Sequence, residues 1–169
     1  METSKTFEKS GRSNKSGGFT LIELLIVVAV IMVIAGIAIP NFIRSKMRAN
    51  ESGAVANLRT VTTANVVYST TYSAGFGPSL SALGGEPTTP TVTSAGLIDS
   101  VLSAGVKSGY VYTYTPLSVD ANGFYQAFSV NADPITPGTT GDRHFYTDQT
   151  NVIRVNISTT AGLSDSPIQ

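Results

Sequence analysis

The sequence predicts an α+β fold in which a long N-terminal helix, transmembrane in its first half, packs on a small four-stranded antiparallel sheet. An apolar run over residues 21–39 contains one charged side chain, which is typical of a membrane span. A one-sided apolar stripe at helical spacing follows this run, and the C-terminal half contains four segments with strand alternation. Strands that follow one another closely favour an antiparallel meander.

Composition and charge limit what the chain does. Its 169 residues are enough for one modest domain and a membrane segment, and the absence of cysteine excludes a disulfide framework and thiolate chemistry. The formal net charge is zero, so nothing indicates a sequence-specific nucleic-acid partner. Residues 1–18 nevertheless carry a net charge of +2 ahead of the apolar run, which is typical of a targeting leader.

The apolar run is long enough to cross a bilayer. As a helix, Leu21–Ile39 measures roughly 28 Å, against a hydrocarbon core of about 30 Å. The small-residue pair Gly17-Gly18 precedes the run, so cleavage after the span is not expected, whereas cleavage before it is compatible with the sequence. Cations lie on both sides of the run, so the positive-inside rule does not give its orientation.

Glu23 is the one carboxylate within this run. A charged side chain at the bilayer centre costs about 2.5–3.5 kcal/mol on insertion scales, so such a residue persists when it has a partner. From the residues alone, two interpretations stay open: Glu23 pairs with another group, or it lies at the headgroup level near the start of the span.

The segment from Gly36 to Pro40 is predicted to be the weakest turn of the helix. Pro40 has no N–H to donate to the carbonyl of Gly36, and its ring crowds that carbonyl. Glycine is conformationally permissive. We expect the helix to bend here and to be able to unwind, with a simple proline kink as the alternative.

Beyond Pro40 the helix is predicted to continue with one apolar face and to end at "SAGFGPS", residues 73–79. The stripe consists of Met47, Ala54, Leu58, Val61, Asn65, Tyr68 and Tyr72. Short helical turns are predicted at Ser79–Leu83 and Ser94–Leu102. The predicted strands are "GYVYTYTPLSV" (109–119), "FYQAFSVNA" (124–132), "RHFYTD" (143–148) and "NVIRVNI" (151–157), with a hairpin turn at Asp120–Gly123.

Candidates for chemistry in the C-terminal half are weak. His144 is the only histidine, and a lone histidine is more often structural than catalytic. Asp133, Asp142 and Asp148 suggest a calcium loop but lack its ligand spacing. "NIS" at Asn156 is a glycosylation sequon by pattern, and the strand tyrosines are most simply core residues. We therefore predict no catalytic, cofactor-binding or metal-binding residues.

"KSGGFTLIELLIVVAVIMVIAGIAIP", within Lys15–Met47, resembles the N-terminus of type IV pilins and the related pseudopilins. The resemblance implies that a prepilin peptidase cleaves between Gly18 and Phe19 on the cytoplasmic side and that the new amine of Phe19 is N-methylated. Glu23 would be the fifth residue of the mature chain and would pair with the Phe19 amine of a neighbouring subunit. The chain departs from many pilins at Met32, where they have a glycine that begins a melted stretch.

The C-terminal half resembles the cysteine-free pilins of the type IVa branch, with looser spacing. The matching positions are Leu97–Asp99, Gly109-Tyr110, Tyr114, Phe128, Ala132–Pro134, Pro137-Gly138, Arg143–Tyr146 and Val152–Arg154.

The resemblance implies a leader over residues 1–18, a transmembrane and assembly helix over 19–43, an amphipathic helix over 44–75 and an extracellular head over 76–169. It implies a type IV pilus subunit that polymerises with itself and supports adhesion, twitching motility or DNA uptake. Its other partners would be the lipid bilayer, the prepilin peptidase and N-methyltransferase, and the inner-membrane assembly machinery. The alternatives are a pseudopilin of a type II secretion system and a single-span tether for an extracellular binding domain.

Overall fold

The computed structural model describes residues 18–85 and 88–168. The chain divides into two compact units, Met1–Ile39 and Pro40–Gln169. In the described part of the first unit, residues 18–39, no side chain is buried. The core belongs to the second unit, where the helix packs on a sheet as the sequence predicted.

The helices are α1 (Leu21–Tyr72), α2 (Leu80–Leu83) and α3 (Ser100–Ser103). The strands are β1 (Val106–Lys107), β2 (Tyr110–Val119), β3 (Tyr125–Pro134), β4 (His144–Asp148), β5 (Arg154–Asn156) and β6 (Ser166–Pro167). They form one antiparallel meander in the order β1-β2-β3-β4-β5-β6.

The α+β class and the four predicted strands are confirmed, but the predicted number of strands is wrong because the described sheet has six. The two additional strands, β1 and β6, contain two residues each and pair with β2 and β5 at the edges. Two residues are too few to produce a detectable alternation of apolar and polar side chains. The hairpin turn is where the sequence placed it: Gly123 has a φ of 85° and donates its N–H to the carbonyl of Asp120.

The apolar stripe of α1 is confirmed in the second unit. Its central members are buried against the sheet; they are Ala54, Leu58, Val61, Asn65 and Tyr68. From the sheet, Tyr110, Tyr112, Phe128, Val130 and Phe145 complete the core. α1 ends at Tyr72, and the next residue, Ser73, has a φ of 50°, so the break predicted for residues 73–79 is also confirmed.

Polar side chains on the buried face of α1 are paired with the sheet. Asn57 donates its Nδ2–H to the Tyr112 hydroxyl (2.8 Å), and the Tyr114 hydroxyl donates to Asn65 Oδ1 (2.9 Å). Asn65 Oδ1 also accepts the N–H of Gly77 (3.0 Å). Since a buried polar group without a partner is costly, these bonds select one register between helix and sheet.

The short helices lie in the connection between α1 and β1. The first predicted turn is confirmed as α2, which Ser79 caps by accepting the N–H of Ala82. The second was predicted to begin at Ser94, but α3 begins at Ser100 because Asp99 is its N-cap. Asp99 Oδ1 accepts the N–H groups of Val101 and Leu102, which explains the later start.

Candidate processing and assembly site

The predicted cleavage point lies immediately before α1. Lys15 and Gly17, together with the rest of the predicted leader up to residue 17, lie outside the described residues. A side chain at Gly18 would meet no neighbouring atom within 4 Å, and Phe19 is 93% exposed. Among the described residues, nothing therefore covers the peptide bond between Gly18 and Phe19.

Glu23 forms a capping box with Thr20 at the start of α1. Glu23 Oε2 accepts hydrogen bonds from the backbone N–H of Thr20 (2.8 Å) and from its hydroxyl (2.7 Å). In return, Thr20 Oγ1 accepts the N–H of Glu23 at 3.2 Å. Our reading of the sequence missed this role, although the signal was present: Thr-x-x-Glu before an apolar run is the pattern of a capping box. In the single chain, the carboxylate thus has a local partner.

The helix that follows Glu23 presents apolar side chains on every side. Leu21, Ile22, Val33 and Ile37 are each more than 60% exposed, and no residue from 21 to 39 is buried. Among the described residues, α1 is the one helix long and apolar enough to cross a membrane. Such a surface is stable when hydrocarbon or another apolar surface covers it.

Gly36 and Pro40 both lie within α1, whose helical conformation includes every residue between them. Pro40 cannot donate to the carbonyl of Gly36, so this turn lacks one of the bonds that hold the rest of the helix together. The boundary between the two compact units also falls here, between Ile39 and Pro40. Unwinding of this turn stays a prediction.

An ion pair between a buried carboxylate and a half-exposed arginine in the second unit is the main feature that our reading of the sequence missed. Glu51, on α1, is 6% exposed and accepts hydrogen bonds from the backbone N–H groups of Asp142 (3.1 Å) and Arg143 (3.3 Å). Its Oε2 also accepts the Nε–H of Arg143 at 2.9 Å. A signal existed, since Glu51 stands four residues after Met47 and three before Ala54, on the apolar stripe.

The candidate metal ligands do not converge. In residues 18–85 and 88–168, no group of three or more His, Asp or Glu side chains is placed to hold a metal ion. His144 Nδ1 pairs with Asp133 Oδ1 across the β3–β4 strands, at 2.5 Å. Asp142 accepts the N–H of Gly138, while Asp148 accepts from Thr150.

The remaining sequence candidates have structural partners. Asn156, in the sequon, donates its Nδ2–H to Asp165 Oδ1 at 3.0 Å. Tyr110 and Tyr112 are buried in the core, so the interpretation of the strand tyrosines as core residues is confirmed for these two. Burial raises the pKa of Tyr110, Tyr112 and Tyr114 above the ordinary value.

Comparison with known proteins places the similarity in a limited part of the chain. The family model of the prokaryotic N-terminal methylation motif matches residues 13–39. The type IV major pilin protein PilA of Myxococcus xanthus is 54% identical over 50 residues, which cover 30% of this chain and 23% of that protein. The type IV wide pilus major component PilA4 of Thermus thermophilus is 51% identical over 41 residues, which cover 24% of this chain and 31% of that protein.

These alignments span less than a third of either relative. No solved structure matches the chain. The methylation motif includes Gly18, Phe19 and the apolar first part of α1, and the second part of α1 packs on an antiparallel sheet. The methylation motif and the named relatives thus make the N-terminal part of the chain similar to that of type IV pilins.

Proposed function

We propose that the chain is a structural subunit of a type IV pilus that polymerises through the N-terminal part of α1. The observation that carries the proposal is the exposure of the apolar residues from Leu21 to Ile39, none of which is buried. Their length matches a bilayer, and their apolar character on all sides also suits a helix bundle made of many copies. One surface thus serves as membrane anchor before assembly and as packing surface after it.

Maturation starts at the exposed bond between Gly18 and Phe19. A prepilin peptidase removes the leader on the cytoplasmic side, and the new amine of Phe19 is methylated. This step is supported by the accessible position of both residues and by the methylation motif over residues 13–39. Cleavage makes Glu23 the fifth residue of the mature chain and creates a cation four residues before it.

Glu23 then exchanges its local partner for one on another subunit. In the single chain its carboxylate is held by Thr20, so entry into the apolar environment does not leave it without hydrogen bonds. In the fibre, the amine of Phe19 on the neighbouring copy pairs with this carboxylate. A charge pair at a single position along an apolar helix fixes the axial register between copies, because every other register leaves a charge without a partner.

The location and partners follow from this pathway. Before assembly, the chain lies in the inner membrane with a single span, and after assembly the head of residues 76–169 faces the medium. The leading partners are further copies of the chain, the peptidase and the inner-membrane assembly machinery. Adhesion, twitching motility and DNA uptake are the functions that such a fibre supports.

Shearing of intact cells tests the proposal. We expect the sheared fibre fraction to contain this chain with methylated Phe19 as its first residue, as read by N-terminal sequencing. Deletion is expected to abolish fibres and twitching while protein export is unchanged. Loss of exoprotein release with intact motility would indicate a secretion pseudopilin instead, and solitary uncut chains in the membrane would contradict the proposal.

A further inference from the structure

A basic cleft lies at the beginning of the second unit, between α1 and the loop that joins β3 to β4. Its volume is about 510 Å³. The cleft is lined by Arg44, Met47, Arg48, Glu51, Asp142 and Arg143. Three arginines and two carboxylates give this lining a formal charge of +1.

The two carboxylates are already engaged by the protein. Glu51 accepts two backbone N–H groups and the Nε–H of Arg143, and Asp142 Oδ1 accepts the N–H of Gly138 at 3.1 Å. Glu51 thereby holds the Arg143 guanidinium on one wall of the cleft. The two terminal amino groups of Arg143 have no acceptor within the described part of the chain, and its side chain is 45% exposed.

The α1 side of the cleft carries two further arginines. Arg44 and Arg48 are four residues apart on α1, so they lie on one face of the helix, and both are exposed. Neither side chain has a hydrogen bond or ion pair with residues 18–85 or 88–168. Arginines that line one cleft without internal acceptors suit an oxyanion with several oxygens, above all a phosphate, which a guanidinium binds through two parallel hydrogen bonds.

The position of these arginines in the chain suggests the source of that phosphate. The apolar run ends at Ile39, and Arg44 and Arg48 follow Pro40 by about one and two helical turns. The headgroup region adds about 5–7 Å to each side of the hydrocarbon core. At about 1.5 Å per residue, Arg44 lies about 7.5 Å and Arg48 about 13.5 Å beyond Ile39 along the helix. Helical side chains tilt toward the helix N-terminus, so both guanidinium groups extend back toward the level of lipid phosphates when the span is inserted.

We propose that the cleft formed by Arg44, Arg48 and Arg143 binds the phosphate of an anionic phospholipid in the outer leaflet of the inner membrane before the chain is polymerised. A phosphodiester carries one negative charge, which matches the +1 of the lining, whereas a zwitterionic headgroup adds an ammonium that the arginines repel. The bound lipid fixes the depth of the inserted subunit and has to leave when the subunit enters a fibre. The inference rests on the proposed function, because it requires the span to be in a bilayer.

Native mass spectrometry of the mature full chain in detergent, with equal amounts of phosphatidylglycerol and phosphatidylcholine, tests the proposal. We expect phosphatidylglycerol to be retained preferentially and Arg48→Gln to lower that preference roughly fivefold. Lys46→Gln is the matched control, since Lys46 is exposed in the same turn but does not line the cleft; we expect it to change the preference by less than about twofold. Arg48→Lys keeps the charge but loses the planar fork, so it is expected to lose part of the preference.

Three outcomes would overturn the proposal. Equal losses for Lys46→Gln and Arg48→Gln, with no loss for Arg48→Lys, would indicate general surface charge. Displacement of phosphatidylglycerol by inorganic phosphate or glycerol phosphate would indicate a soluble ligand. Wild-type lipid retention with lost fibres in Arg48→Gln would make the cleft a contact between copies, and the proposed function would stand. Failure of the proposed function itself would give a different result: the wild-type chain would be absent from the sheared fibres.

Discussion

Glu51 and Arg143 lie 92 residues apart in the chain and are joined by an ion pair of 2.9 Å between Oε2 and Nε. The same carboxylate accepts the backbone N–H groups of Asp142 and Arg143, so one side chain of α1 holds the end of the loop that enters β4. The guanidinium of Arg143 lies 5.4 Å from the centre of the Phe145 ring, which extends the contact into the core. This cluster attaches the sheet to α1 within the second unit.

Replacement of this carboxylate tests how much the cluster stabilises the second unit. In Glu51→Gln the amide NH₂ cannot accept a hydrogen bond, so one of the three donors loses its partner. We expect the free energy of unfolding of the mature chain in detergent to fall by about 2 kcal/mol, as measured by chemical denaturation.

Lys107→Met is the matched control for this prediction. The pair between Lys107 and Asp99 is as short, at 2.7 Å, but both side chains are about a third or more exposed. An exposed pair contributes roughly 0–1 kcal/mol, so this variant should be close to the wild type. Equal losses in the two variants would contradict the special role of Glu51.

Different substitutions separate the observed role of Glu23 in the capping box from its proposed role in assembly. Glu23→Gln keeps the capping box, because glutamine also accepts from Thr20, but it removes the charge. We expect Glu23→Gln and Glu23→Ala to be inserted and cleaved normally and to form few fibres, as counted by electron microscopy.

Thr20→Val is the complementary variant, since it removes the hydroxyl of the capping box and leaves the carboxylate. We expect its fibres to form. If Glu23→Gln fibres form at normal number and length while Thr20→Val fibres do not, the carboxylate acts through the cap and not through another subunit.

Gly141 lies directly against the buried ring of Tyr110. A β-carbon at this position would collide with the Tyr110 hydroxyl and ring, while the hydroxyl is held by its bond to the carbonyl of Arg143 at 2.8 Å. Overpacking of this kind costs about 1–3 kcal/mol, so Gly141→Ala should lower the unfolding free energy by that amount. Gly162→Ala, where a β-carbon would meet nothing within 4 Å, should stay within about 0.5 kcal/mol of the wild type.

The strand tyrosines predict a loss of stability in alkaline solution. Burial raises the pKa of Tyr110, Tyr112 and Tyr114 above the ordinary value of 10.0, so the folded chain keeps protons that the unfolded chain releases. Their contribution is complete below pH 10 and is lost as the pH rises above it towards the folded-state pKa values. Chemical denaturation at a series of pH values measures how steeply the free energy of unfolding falls with pH, and tyrosinate absorbance is a second signal.

Tyr114→Phe should reduce the dependence of the unfolding free energy on pH by the contribution of one proton. The substitution also removes the hydrogen bonds to Asn65 and Gly77, so it lowers stability at neutral pH. A stability that stays constant well above pH 10 would contradict the prediction.

The local structure of this protein could be predicted from the sequence because its signals act over a few residues. The span is fixed by apolar composition, the second part of α1 by a stripe that includes Leu58 and Val61, and β2 by the alternation of its tyrosines. The capping box of Thr20 and Glu23 is equally local, and it was missed because the acid was considered only as a charge in a bilayer.

The sequence by itself determined a membrane-length apolar helix, an amphipathic continuation and four successive strands, because periodicity and turn residues require no knowledge of distant neighbours. Only the tertiary structure decided that Glu51 meets Arg143, that His144 meets Asp133, and that β1 and β6 extend the sheet. Those contacts depend on the path of the chain: a buried carboxylate or a two-residue strand has no pattern of its own and acquires its partner when helix and sheet are packed together.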